Sequence, residues 1–324
     1  MTGPAGRRAS PAGRRASPRA RLGAVLSPEP YTGRGAPLWA QGALITFCAL
    51  LFGFQFVAFK AAFHGFGPVT LLAVRVVIAL PLTVAIMRWA RVPIRVSRRD
   101  LLLVAVPAGL LMGSQIFFMF AVHRLTASLT STIVSTIPIF SLGLGFLFAI
   151  ERVGLLGVVG TLAGVAGVAI ATGAATGDLD ALGLLLMLGS NFSYGLSLVV
   201  LKRMALRVSS AIFLIVMLAE SALVLTPLAG ALEGFSVTWT WKAAFAVLYI
   251  GTLGQAVAYI GVMTLMRFGG VFQSTLVTPL IPVWAIFFAV LLLGEPLLGR
   301  ELVGGALIIG GVLLAIAPVG RRRV

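Results

Sequence analysis

The chain has 324 residues, 59% of them hydrophobic and only 10% charged, against roughly 25% charged in a typical soluble domain. That balance excludes an ordinary soluble fold and fits bilayer spans, each of which needs about 20 apolar residues to cross about 30 Å of hydrocarbon. The net charge of +16 raises nucleic acid as a partner, but the charges fall in short clusters between apolar runs, with no aromatic-interleaved basic domain, and this argues against it.

Residues 1–36 differ in kind from the rest. GRRASPA at 6–12 returns at 13–19 as GRRASPR, and the segment holds seven arginines but little that could build a core. It reads as a disordered, basic cytoplasmic tail. Its Arg-Arg pairs suggest an export signal, but the apolar run that follows is too long and lacks a cleavage site, so no cleavage is expected. Ten apolar segments then follow at 38–60, 68–88, 101–122, 128–150, 153–173, 181–201, 210–230, 242–266, 273–293 and 299–318. A short basic C-tail, 320–324, closes the chain. Placing the N-terminus inside puts 20 of the 25 Lys and Arg on the inner side and four on the outer, leaving Arg75 within a span. The positive-inside rule therefore puts both termini in the cytoplasm of a multi-pass inner-membrane protein. The same charges are expected to meet anionic headgroups at that face. Cys48, alone of its kind, lies in an apolar run and can form no internal disulfide.

PIFSLGLGFLFAIE at 138–151 is echoed by PVWAIFFAVLLLGE at 282–295. The echo extends further. Phe52, Gly53 and Lys60 correspond to Tyr194, Gly195 and Lys202 at an offset of 142; Pro138, Glu151, Gly160 and Gly167 correspond to Pro282, Glu295, Gly304 and Gly311 at 144. Two copies of a five-span unit are expected, at 38–175 and 180–319. Five is odd, so the second copy enters the membrane upside down. The predicted fold is an all-α integral membrane protein with ten transmembrane helices as two inverted five-helix repeats.

With GFQFVAFK at 53–60, PVTLLAVR at 68–75 and the doubled Pro-to-Glu ends, the sequence resembles the drug/metabolite transporter superfamily, in particular its ten-helix EamA-type exporters. The resemblance covers about 38–319. It departs at Phe52, where a tryptophan is often found, and at Ile150, where a glycine commonly precedes the glutamate; Gly294 keeps that glycine in the second copy. The resemblance implies export of small metabolites and a central cavity lined by segments 1, 3, 4, 6, 8 and 9.

Polar residues inside the spans give the same lining independently, because a polar group facing lipid is costly. The cavity candidates are Gln55, Ser114, Gln115, Thr132, Ser135, Asn191, Tyr194, Ser197, Gln255, Tyr259 and Thr278. The bland alternative is hydrogen bonding between helices, most natural for Ser and Thr. Phe52, Phe54, Phe56, Phe117, Phe118, Phe120 and Trp284 offer aromatic walls or lipid-facing surface. Pro138 and Pro282 are candidate hinges, or static kinks. Glu151 and Glu295, at helix ends, read as caps of the next helix. The charges truly within spans are Arg75 and Glu220, which either pair or serve separately as gate and proton site. Glycines in segments 5 and 10 fit close packing within one chain or a homodimer seam equally well.

No Walker-A motif or metal-ligand cluster occurs, and His64 and His123 stand apart, so neither cofactor, metal nor catalytic set is expected. The expected function is secondary-active transport, exporting small metabolites such as amino acids by alternating access. A multidrug or cation exporter is the first rival; small multidrug transporters of the same superfamily use an acidic residue in helix 1, and none occurs here. A lipid-modifying membrane enzyme and a non-transport sensor or assembly subunit are the others.

Overall fold

The structure is a computed structural model that describes residues 37–92, 97–148, 155–172, 180–204, 210–265 and 277–315. The two tails, Glu151 and the junction between the repeats at 173–179 lie outside the described residues. Among those described, the regular structure is all helix apart from one isolated β-bridge, Phe66 to Val237. Helices dominate because hydrocarbon offers a backbone no water, so each span must satisfy its own N–H and C=O groups.

In chain order the helices are α1 (Leu38–Ala62), α2 (Pro68–Trp89), α3 (Arg98–Arg124), α4 (Ala127–Leu147), α5 (Leu155–Ala171), α6 (Ala181–Met204), α7 (Ser210–Glu233), α8 (Trp241–Leu265), α9 (Val277–Leu293) and α10 (Gly299–Ala315). Seven of these are long and apolar enough to cross a membrane; α5 and α9 are shorter apolar helices. Pro68 starts α2 at a position where its missing N–H costs nothing. Pro81, Pro107 and Pro227 sit inside α2, α3 and α7.

The packing repeats about a pseudo-two-fold axis. α2 packs on α7 and α5 on α10, each against its own equivalent. The α3–α6 contact is mirrored by α8–α1, α9–α1 by α4–α6, and α2–α8 by α7–α3. The doubled sequence motif is what makes these contacts close. A Cβ on Gly53 of α1 would lie 2.9 Å from the backbone nitrogen of Ala285 in α9; on Gly195 of α6 it would lie 3.1 Å from that of Ser141 in α4. Each repeat's glycine thus seats the Pro-to-Glu helix of the other repeat.

The α5–α10 seam is closer still. A Cβ on Gly311 would lie 2.5 Å from the Gly160 carbonyl oxygen, and on Gly304 2.5 Å from that of Gly167. This decides a choice the sequence left open: the facing glycines of α5 and α10 pack on each other within one chain and are not free to form a homodimer seam.

Three helices depart from regular geometry. α4 breaks between Val134 and Ile137, and Pro138 follows as the second residue of its new half. α8 widens into a π-helical stretch over Ile250–Val257, and α9 does so over Ala289–Leu293 before Gly294 ends it at φ 65°. Left-handed backbone of that kind suits glycine. Pro282 lies within continuous helix. The two prolines therefore differ: Pro138 marks a real break, Pro282 does not.

Candidate functional site

A cavity of about 160 Å³ lies between the repeats. α1 contributes Phe52, Gln55, Phe56 and Phe59; α3 contributes Ser114, Gln115 and Phe118; α6 contributes Ser190, Asn191 and Tyr194. α8 adds Gln255, Tyr259 and Val262, and α9 adds Val277, Thr278 and Ile281. α4 presents Val134 and Ile137, while Arg75 enters from α2. Small residues allow this convergence. A Cβ on Gly251 of α8 would sit 3.0 Å from the Arg75 carbonyl oxygen, and one on Gly254 would sit 3.0 Å from the Gln55 amide carbon.

Of the residues singled out by sequence, Gln55, Ser114, Gln115, Asn191, Tyr194, Gln255, Tyr259 and Thr278 share this wall. Thr132, Ser135 and Ser197 do not. Thr132 and Ser135 donate to the carbonyls one turn back, Ser128 and Ser131, at 2.9 and 3.3 Å. Ser197 donates to the Pro107 carbonyl at 2.6 Å, and Ser193 likewise reaches Leu110 at 2.7 Å, so these hydroxyls fasten α6 to α3. The reason is common to all three: a short hydroxyl reaches a nearby backbone acceptor more easily than a cavity. α4 consequently lines the cavity with apolar side chains and not with its polar ones. Among the aromatics, Phe54, Phe117, Phe120 and Trp284 stay off the wall, and Phe117 is 43% exposed on the outer surface of the bundle.

The polar groups of the wall are ordered by each other. Ser114 and Ser190 hydroxyls meet at 3.2 Å across α3 and α6. Asn191 donates its amide N–H groups to the Ile133 carbonyl at 2.8 Å and to Thr136 Oγ1 at 2.9 Å, stapling the α4 break; its Oδ1 has no partner. Arg75 donates from Nη2 to Gln115 Oε1 at 2.5 Å, and Tyr259 lies within electrostatic reach of both. Proline adds a feature that residue type alone does not advertise. Pro138 and Pro282 have no N–H for the residue four back, so Val134 and Thr278, both on the wall, lack the helical partner of their carbonyls.

Arg75 and Glu220 form no pair. The one ion pair among the described residues is Arg124–Asp180, at 3.0 Å between α3 and the start of α6. Glu220 faces α3, where a Cβ on Gly109 would lie 3.0 Å from its Oε1. One charge is in the cavity and the other is behind it.

Two carboxylates outside the cavity hold one end of the bundle. Glu295, at the end of α9, accepts from the Ala127 and Ser128 backbone nitrogens at 2.8 and 3.1 Å and from the Ser128 hydroxyl at 2.7 Å. It caps α4 of the other repeat and not the next helix in sequence. Glu233, at the end of α7, accepts from Val69 and Thr70 nitrogens at 2.9 and 2.8 Å and so caps α2. An anion there answers both the unpaired N–H groups and the positive helix end. Nearby, Thr238 donates to the Gly65 carbonyl at 2.9 Å. All these ties lie at the end where α1 meets α2, α3 meets α4 and α7 meets α8. The Glu233 tie was missed in sequence because nothing local links residues 164 positions apart.

Comparison with known proteins bears on this architecture. The model of the EamA-like transporter family matches residues 41–173 and 181–317. An uncharacterized transporter of Bacillus subtilis (strain 168), YvbV, is 30% identical over 194 residues, which is 59% of this chain and 64% of that protein. The match thus spans less than two thirds of the relative's length. A crystal structure of another protein, 23% identical, superposes with a TM-score of 0.64 over 84% of this chain and 96% of that one, a likeness of fold. With the family model matched twice, once in each five-helix repeat, this multi-pass membrane protein belongs to the EamA-like transporter family.

Proposed function

We propose that the chain is a secondary-active exporter of small metabolites such as amino acids, working by alternating access. Both termini are assigned to the cytoplasm of an inner-membrane protein, with functional units at 38–175 and 180–319. The observation that carries the reading is the cavity between the repeats, polar and aromatic at once, with wall residues from both copies. Such a wall suits a small amphipathic solute. Its position relative to the ties supports a cytoplasm-facing state. Glu295 and Glu233 fasten the end assigned to the outside, whereas Val262, Val277 and Thr278 carry the wall toward the α8–α9 junction on the opposite side. Transport then requires the outer ties to break as the inner side closes. The wall has no carboxylate among the described residues, which weighs against a cation–drug antiporter and against acid–base catalysis there.

Solute counterflow in proteoliposomes tests this. A panel of amino acids and nucleosides is expected to reveal saturable exchange of one class, weakened about tenfold by Gln115→Ala or Gln255→Ala through loss of a polar wall group that the solute contacts. No counterflow across the panel from folded protein would overturn the metabolite reading.

A further inference from the structure

The cavity holds a cation that has no ion-pair partner among the described residues. Arg75 is only 2% exposed, sits at the wall, and is 5.7 Å from the Phe59 ring centroid. Its charge meets neutral groups, that ring and the Gln115 carbonyl, with the Tyr259 phenol within electrostatic reach, and its buried Nε has no partner. None of the described carboxylates forms an ion pair with Arg75: Asp180 pairs with Arg124, Glu233 caps α2, Glu295 caps α4, Glu301 lies in the first turn of α10, and Glu220, whose Oε2 has no partner, lies beside Gly109 of α3. A desolvated charge without a counter-ion is unfavourable, and a guanidinium carries planar donors in the geometry of a carboxylate or phosphoryl group.

We propose that Arg75 is the anchor for an anionic group on the transported solute, an oxyanion borne on an apolar or aromatic body. The body lies against Phe52, Phe56 and Phe118, and Gln115 holds the guanidinium toward the cavity. The inference rests on the transporter reading and specifies its substrate class: an acid or a zwitterion, with organic cations excluded. It also gives Gln115 a role as positioning residue, acting through Arg75.

Four probes of matched shape test it on purified full-length protein: 3-phenylpropionate, 3-phenylpropionamide, 2-phenylethylammonium and phenylphosphonate. Titration calorimetry is expected to show the carboxylate binding wild type at least about tenfold more tightly than the amide, as a charge-assisted contact demands. That ratio is expected to fall to near one in Arg75→Gln and to persist in Arg75→Lys. Phenylphosphonate binding more tightly than the carboxylate, with the same dependence on Arg75, would assign the oxyanion to phosphoryl compounds and support the proposal. Equal binding of acid and amide, preference for the ammonium, an unchanged ratio in Arg75→Gln, or no binding of either anion would each overturn it. Should Arg75→Gln fail to fold, the wild-type ratio alone decides. Counterflow with the same probes separates the two readings. Exchange of the amide or amine only would keep transport and remove the anion site; anion binding without exchange would keep the site and remove transport.

Discussion

Asn191 illustrates how one side chain can serve two structures. Its amide nitrogen closes the break in α4 while its body lines the cavity. Replacing it with leucine leaves the Ile133 carbonyl and Thr136 hydroxyl without that donor, at a cost of about 1–2 kcal/mol for an interhelical hydrogen bond in a bilayer. A lower thermal midpoint in detergent is the expected result, and an unchanged midpoint would show that the break is held by other means. Asp180 gives a pH-dependent case outside the membrane. The Gly183 backbone N–H, joined by Arg124, holds its carboxyl below the ordinary value of 3.8 against the opposing effect of desolvation. A depressed folded value stabilises the protein fully above 3.8 and loses that contribution as pH falls through the lower value. The stability difference between wild type and Asp180→Asn should therefore be present at neutral pH, shrink in acid, and be reduced by salt, because the pair is exposed. Melting curves across a pH series would check it.

At the scale of elements, the α5–α10 seam makes the sharpest contrast between similar residues. Gly304 and Gly310 stand on one helix six positions apart. A Cβ on Gly304 would press on the α5 backbone, while one on Gly310 would meet nothing within 4 Å. Gly304→Val should destabilise the fold by about 1–3 kcal/mol, the range for overpacking a tight contact. Gly310→Val should be close to neutral. Thermal unfolding of both variants, with wild type alongside, tests the assignment; equal effects would refute a seam at Gly304. The same physics explains α1 with α9 and α6 with α4, where lipid supplies little drive for helices to associate and close backbone approach does instead.

Across the whole molecule, the proposed alternating-access cycle makes the two carboxylate ties the contacts that a change of access breaks. Each helix end so capped is worth about 0.3–1 kcal/mol, up to about 2 when partly buried, a scale small enough for solute binding to overcome. Glu295→Ala should shift the protein toward the state open at that end. A cysteine placed at Ala127, buried beneath the tie, would then react with a membrane-impermeant maleimide about tenfold faster, the change expected for about 1.4 kcal/mol. The natural Cys48 is fully buried and adds no background. An unchanged labelling rate would mean that Glu295 does not hold that end closed.

The spans, the doubling and most of the cavity residues were legible in the sequence because their causes are local. Hydrocarbon thickness sets run length, and a large amide or phenol in an apolar run has few places to go except a shared interior. Gln55, Gln115, Asn191, Tyr194, Gln255 and Tyr259 followed that rule. Thr132, Ser135 and Ser197 did not, since a hydroxyl can satisfy itself on its own helix or its neighbour. Tertiary structure alone decided the remainder. It separated Arg75 from Glu220, turned Glu295 from the next helix to α4, broke α4 at Pro138 but not α9 at Pro282, and enclosed the glycines of α5 and α10 within one chain. Each of these outcomes depends on which helices become neighbours. Composition and period determine that a helix forms and which face is polar; they do not determine what that face meets.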